Sequence, residues 1–118
     1  MKPKYHFFNN AKYALEGILA LFKNEMAFRI EFCIIIPAII LSFFLKVSFL
    51  EHLFLVSVLI LILIIEALNS AIEACVDLIT PTWHEKAKIA KDCASAAVFF
   101  SICLALFTWG FILGNLWL

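Results

Sequence analysis

Five side chains able to handle protons, metals or phosphate fall within twelve residues: Glu66, Asn69, Ser70, Glu73 and Asp77, in the stretch EALNSAIEACVD. They follow directly on LFLVSVLILILII, residues 53–65, which is wholly apolar but for one serine. On a helix turning about 100° per residue, Asn69 lies about −60° from Glu66, Ser70 about +40°, Glu73 about −20° and Asp77 about +20°. All five therefore share one face, and Leu68, Ala71, Ile72 and Cys75 take the other. An ionisable group inside so apolar a segment costs a few kcal/mol on insertion scales and reads first as functional.

The two glutamates are seven residues apart, roughly 10 Å along a helix axis. That separation suits two tasks rather than one shared ion. A deep, desolvated carboxylate such as Glu66 suits general-base work. Glu73, nearer the polar end, suits a hard cation such as Mg²⁺, which takes one or two carboxylates and completes its shell with phosphates and water. Glu25 can supply a second carboxylate. Lys91 and Asp92, in AKIAKD, open the next apolar segment at the same level, and a lysine there can meet phosphate as a point charge. Metal, cation, base and a greasy acceptor together suggest phosphoryl transfer at a membrane surface. With Gly17, Gly110 and Gly114 as the only glycines, neither a P-loop nor a Gly-rich kinase loop can form.

The elements that must position these residues are membrane helices. The chain has 118 residues, 65% hydrophobic and 15% charged, against about 25% charged in soluble domains. Nine basic residues balance nine acidic ones, with no basic stripe of the kind that binds nucleic acid. The opening MKPKYHFFNNAKYALEG lacks the apolar block and cleavage site of a signal peptide. The cysteines at 33, 75, 93 and 103 lie singly in apolar sequence and read as small hydrophobes. His6, His52 and His84 show no zinc spacing.

Phe7, Phe8, Ala11, Ala14, Leu15, Ile18, Leu19 and Phe22 recur at helical spacing. They predict an amphipathic helix over 5–24 lying in the membrane interface. Three spans follow, at 30–50, 51–75 and 93–118, each meeting the roughly 20-residue requirement. Pro37 is placed to kink the first. Lys2, Lys4, Lys12, Lys23 and Arg29 precede the first span, Lys86, Lys88 and Lys91 lie in the second loop, and only Lys46 falls opposite. The positive-inside rule puts the N-terminus and the 76–92 loop in the cytoplasm. Ala97, Ser101 and Ala105, with Ala90 and Ala94, form small-residue rows for close helix contact. The whole chain reads as one all-α integral-membrane domain, 1–118.

The stretches NEMAFRIE (24–31), IEALNSAIEACVD (65–77), HE (84–85) and AKDCASAAV (90–98), with Tyr13 and Gly17, resemble the small prokaryotic integral-membrane diacylglycerol kinases. The resemblance runs over nearly the whole chain. It implies a homotrimer of three-span subunits with shared active sites in the bacterial inner membrane. It implies transfer of the γ-phosphate of MgATP to the primary hydroxyl of diacylglycerol, giving phosphatidic acid. Residue by residue, it implies Glu66 as proton acceptor, supported by Asn69, and Glu25 and Glu73 as metal ligands. Tyr13, Glu25, Glu73, His84, Lys91 and Asp92 would line the nucleotide site, and Phe28, Arg29, Glu31, Ser95 and Trp109 would contact lipid.

Two residues depart from the family pattern. His6 stands where many members have an arginine reaching the ATP phosphates, and Ala14 follows Tyr13 where many have serine. A related branch phosphorylates undecaprenol; AFRIE, and SAAV after AKDCA, look more like the diacylglycerol branch. Two further readings compete: a small multidrug-type transporter, which does not account for Glu25, Glu73, Lys91 and Asp92 together, and a non-catalytic assembly subunit using the polar stripe as helix glue.

Overall fold

The computed structural model describes residues 6–118; Lys2, Lys4 and the first residue of the expected 5–24 helix lie outside them. Four helices follow one another: α1 (Phe7–Asn24), α2 (Met26–Ser42), α3 (Phe49–Ile79) and α4 (Glu85–Trp117). At about 1.5 Å per residue, α3 is about 46 Å long and α4 about 50 Å. Both exceed a hydrocarbon core of about 30 Å. Among the described residues these are the two helices long and apolar enough to cross a membrane, with mean hydropathy 2.5 and 2.3. The expected spans 51–75 and 93–118 fall on α3 and α4, which run past them toward the 80–84 connection. On α3 that extension carries the last member of the polar stripe, Asp77, beyond the expected span.

The helix that overlaps the expected 30–50 span differs in its bounds. α2 covers 17 residues and ends at Ser42. Three consecutive i→i−3 backbone bonds, Phe43 to Ile40, Phe44 to Leu41 and Leu45 to Ser42, tighten the chain out of the α ladder. The Ser42 hydroxyl donates to the Ile39 carbonyl at 2.6 Å. A fresh start is then fixed at Ser48: its Oγ accepts from the Glu51 N–H at 3.1 Å, while Glu51 Oε1 accepts from the Ser48 N–H at 3.0 Å. This capping box explains why an apolar run breaks where hydropathy alone continues it. Pro37 lies inside α2 without ending it. Ser48→Ala is expected to lower helical stability by about 1 kcal/mol, the usual effect of a lost cap. Thermal unfolding in detergent, followed by circular dichroism, checks this.

The core is small and lies where α2, α3 and α4 meet. Ile35, Val58, Leu59, Ile62 and Ala105 are buried together, with Ala38, Ile39, Leu63, Ile102 and Trp109 packed around them. α4 presents its small residues to α3: Ala94, Ser101 and Ala105 are buried, whereas Ala97 of the expected row is exposed. Trp109 Nε1 donates to the Leu55 carbonyl at 3.1 Å and ties the two long helices together. No residue of α1 is fully buried in the chain, and Phe7, Phe8, Leu15, Ile18 and Leu19 stay exposed. That is the pattern of a helix whose apolar side faces lipid.

Candidate functional site

The polar stripe of α3 forms a connected ladder. Glu66 is buried at 4% exposure. Asn69 Nδ2 donates to Glu66 Oε1 at 3.5 Å and to Glu73 Oε1 at 3.3 Å, so one amide links both glutamates. Asn69, Ser70 and Glu73 are half-buried and Asp77 is exposed, while Leu68, Ala71, Ile72 and Cys75 face outward. The helical-wheel expectation for this face therefore holds. Glu31, on α2, meets Glu66 across the interface. Glu25 and Glu73 also lie within electrostatic reach of Glu66.

Glu25 occupies the break between α1 and α2, with an extended backbone at φ −115°, ψ 107°. Arg29 holds this break: its Nη1 donates to the Phe22 carbonyl at 2.7 Å and the Lys23 carbonyl at 3.2 Å. These are last-turn carbonyls of α1, where a cation is favoured. Phe28 is buried against Phe22 in an edge-to-face contact at 5.0 Å, and Phe22 meets Phe32 at 4.7 Å. Phe28 and Arg29, two of the five residues expected to touch lipid, thus anchor the α1–α2 corner within the chain and set Glu25 in place. Ser95 is exposed on α4.

Two concavities flank the ladder. On the side away from the charged connection lies a groove of about 400 Å³ lined by Ile34, Ala38, Leu59, Ile102 and Trp109, with Glu31 as its one charged residue. At the other end lies a pocket of about 360 Å³ between the 80–83 connection and α4, holding Asp77, His84, Lys88, Lys91 and Asp92. His84 caps α4, its Nδ1 accepting from the Lys86 N–H at 3.1 Å. Lys91 Nζ lies 2.6 Å from Asp77 Oδ1, and Lys88 Nζ lies 2.6 Å from Asp92 Oδ2. The hydrogen bond that Lys91 donates to Asp77, aided by the charges of Asp77 and Glu73, holds the Lys91 ammonium above the usual lysine range. Glu25 lines a third groove, about 430 Å³, between α1 and α3, together with Gly17 and Ser70. Tyr13 is half-buried on α1.

Among the described residues, three buried oxygens along this path make no hydrogen bond: Glu31 Oε2, Asn69 Oδ1 and Ser70 Oγ. Leaving such atoms unpaired is costly, and a catalytic role, a water or an ion accounts for such groups in native proteins. Among the described residues no group of three or more His, Cys, Asp or Glu is gathered to hold a metal. The donors fit a nucleotide-borne cation nonetheless: Mg²⁺ needs only one or two carboxylates beside phosphate and water oxygens. Glu25 and Glu73, with the unpaired Asn69 Oδ1 between Glu73 and Glu66, are oxygen donors of that kind.

Comparison with known proteins decides the class. The sequence model of the family described as prokaryotic diacylglycerol kinase matches residues 12–113. The chain belongs to the prokaryotic diacylglycerol kinase family. A diacylglycerol kinase of Haemophilus influenzae is 43% identical over 111 residues, covering 92% of either chain. One from Pseudomonas aeruginosa is 42% identical over 105 residues, 89% of this chain and 85% of that one. One from Escherichia coli K12 is 41% identical over 103 residues, 87% and 84%. The chain is thus a lipid kinase, and the transporter and assembly-subunit readings fall away. Asp77 was legible as part of the stripe but had no task assigned by sequence. Its pairing with Lys91 needed the fold, because the two residues lie 14 apart on different helices.

Proposed function

We propose that this kinase transfers the γ-phosphate of ATP to the primary hydroxyl of diacylglycerol, giving phosphatidic acid and ADP, at the cytoplasmic face of the bacterial inner membrane. One observation carries the reading: a buried glutamate on the apolar side is joined through Asn69 to a second glutamate on the charged side. That is the layout needed where a lipid hydroxyl meets a nucleotide.

In this reading the diacylglycerol chains occupy the groove beside Trp109 and Glu31, with the hydroxyl at Glu66. Glu66 accepts the hydroxyl proton as the oxygen bonds to the γ-phosphorus, and the bond to the β–γ bridging oxygen breaks to release ADP. Asn69 keeps the Glu66 carboxylate aimed. Lys91 meets phosphate, while His84, Asp92 and Tyr13 border the nucleotide. Glu25 and Glu73 would hold Mg²⁺, which when bound neutralises charge on the transferring phosphate. The placing of Lys12, Lys23 and Arg29, with Lys86, Lys88 and Lys91, supports three spans and a cytoplasmic site. The small intrasubunit core and the exposed apolar faces of every helix support a homotrimer with shared sites.

The test is a competition. Purified protein in mixed micelles receives MgATP with equal amounts of diacylglycerol and undecaprenol. Phosphatidic acid is expected as the main product. Undecaprenyl phosphate as the main product would move the kinase to the undecaprenol branch, and no labelled lipid would remove the phosphoryl-transfer reading.

A further inference from the structure

Both lysines of the charged pocket are already neutralised. Lys88 is paired with Asp92 one turn along α4, an ordinary i,i+4 contact on a helix surface. Lys91 is paired with Asp77 across the α3–α4 interface at 2.6 Å. The pocket that should attract a polyphosphate therefore holds two lysines and two aspartates and carries no net formal charge.

The Asp77–Lys91 pair is poorly placed to be a structural clamp. Its side chains are 63% and 40% exposed, and exposed ion pairs add little to stability. The same two helices are already joined by Ala94, Ser101, Ala105 and the Trp109–Leu55 hydrogen bond. What the pair does control is access to the ammonium. A lysine at the edge of a membrane is drawn to any phosphate nearby, including lipid headgroups. Glu73 adds attraction on the Lys91 side, so its carboxylate and that of Asp77 both oppose an arriving anion.

We propose that Asp77 is a charge placeholder: it neutralises Lys91 in the resting site and yields it to phosphate, thereby setting how selectively the pocket takes up a polyanion. The proposal rests on the reading of Lys91 as a phosphate ligand given above. A ligand that brings its own cation compensates the released carboxylate. A bare polyphosphate does not, and meets Asp77 and Glu73 as repulsion. Asp77 thus acts through Lys91 as a specificity-determining residue without touching the reacting atoms.

Calorimetric titration of the full-length protein in maltoside micelles tests this, using ATP in excess EDTA as one ligand and the Mg²⁺ complex of a β,γ-imido ATP analogue as the other. Asp77→Asn is expected to bind metal-free ATP about three- to tenfold more tightly than the native chain, and Asp77→Ser likewise. The gain should shrink as salt is raised, and should vanish when Lys91→Met is added. The preference for the metal-loaded analogue falls correspondingly. Unchanged or weaker binding of metal-free ATP by both Asp77 variants, with the imido analogue still bound, overturns the placeholder alone. A native protein that binds neither ligand removes the nucleotide reading and this proposal with it.

Discussion

Glu66→Gln is expected to abolish lipid phosphorylation, lowering the rate by about 10²–10⁴-fold, the range supplied by a positioned general base. The substitution is nearly isosteric. A glutamine at this position keeps an oxygen for the Asn69 amide and gains an N–H that can face Glu31, so the buried cluster loses its proton acceptor but little of its packing. Removing a carboxylate from a site at 4% exposure also removes a desolvation penalty. Stability should therefore hold or rise while activity disappears, a combination that helix glue does not predict. The measurement is transfer of labelled γ-phosphate to diacylglycerol in mixed micelles, beside size-exclusion and thermal-melting profiles. A variant that assembles normally and keeps more than a tenth of native turnover would assign Glu66 a structural role.

The polar stripe was legible in sequence because two simple periodicities coincide there. The predominantly apolar stretch 51–75 is long enough for a membrane helix, and the 100° turn then places Glu66, Asn69, Ser70, Glu73 and Asp77 on one side. The end of the first helix at residue 24 was legible, but the extended corner that follows at Glu25 was not. No glycine or proline marks it, and its conformation is imposed from outside by Arg29 on the α1 carbonyls and by the Phe22–Phe28–Phe32 cluster. The end of α2 at Ser42 was hidden for a related reason: Phe43, Phe44 and Leu45 prolong the apolar run, and only Ser48 with Glu51 signals a new start. The α3–α4 charge pairing depends on the register of two long helices, which local sequence does not contain. Phe28 and Arg29 show the same limit, since a motif can name a residue without telling what it touches.

Glu73→Gln is expected to reduce activity at least about 100-fold by a different route from Glu66→Gln. Glu73 sits between two kinds of neighbour: Asn69 donates to its Oε1, and Lys91 feels its charge from α4. A neutral amide there leaves the proton acceptor intact and weakens the hold on whatever cation accompanies the nucleotide, since Mg²⁺ strongly prefers charged oxygen ligands. The two variants should therefore separate in their metal dependence. In Glu73→Gln the concentration of Mg²⁺ needed for half-maximal activity should rise by roughly tenfold or more, and raising Mg²⁺ should recover part of the rate. In Glu66→Gln no concentration of Mg²⁺ should help, because the missing step is proton removal from the lipid hydroxyl. Activity titrated against free Mg²⁺ at saturating diacylglycerol distinguishes them. Identical metal curves for both variants and the native kinase would mean that Glu73 serves the ladder only through Asn69, leaving the metal to Glu25 and to groups other than this face of α3.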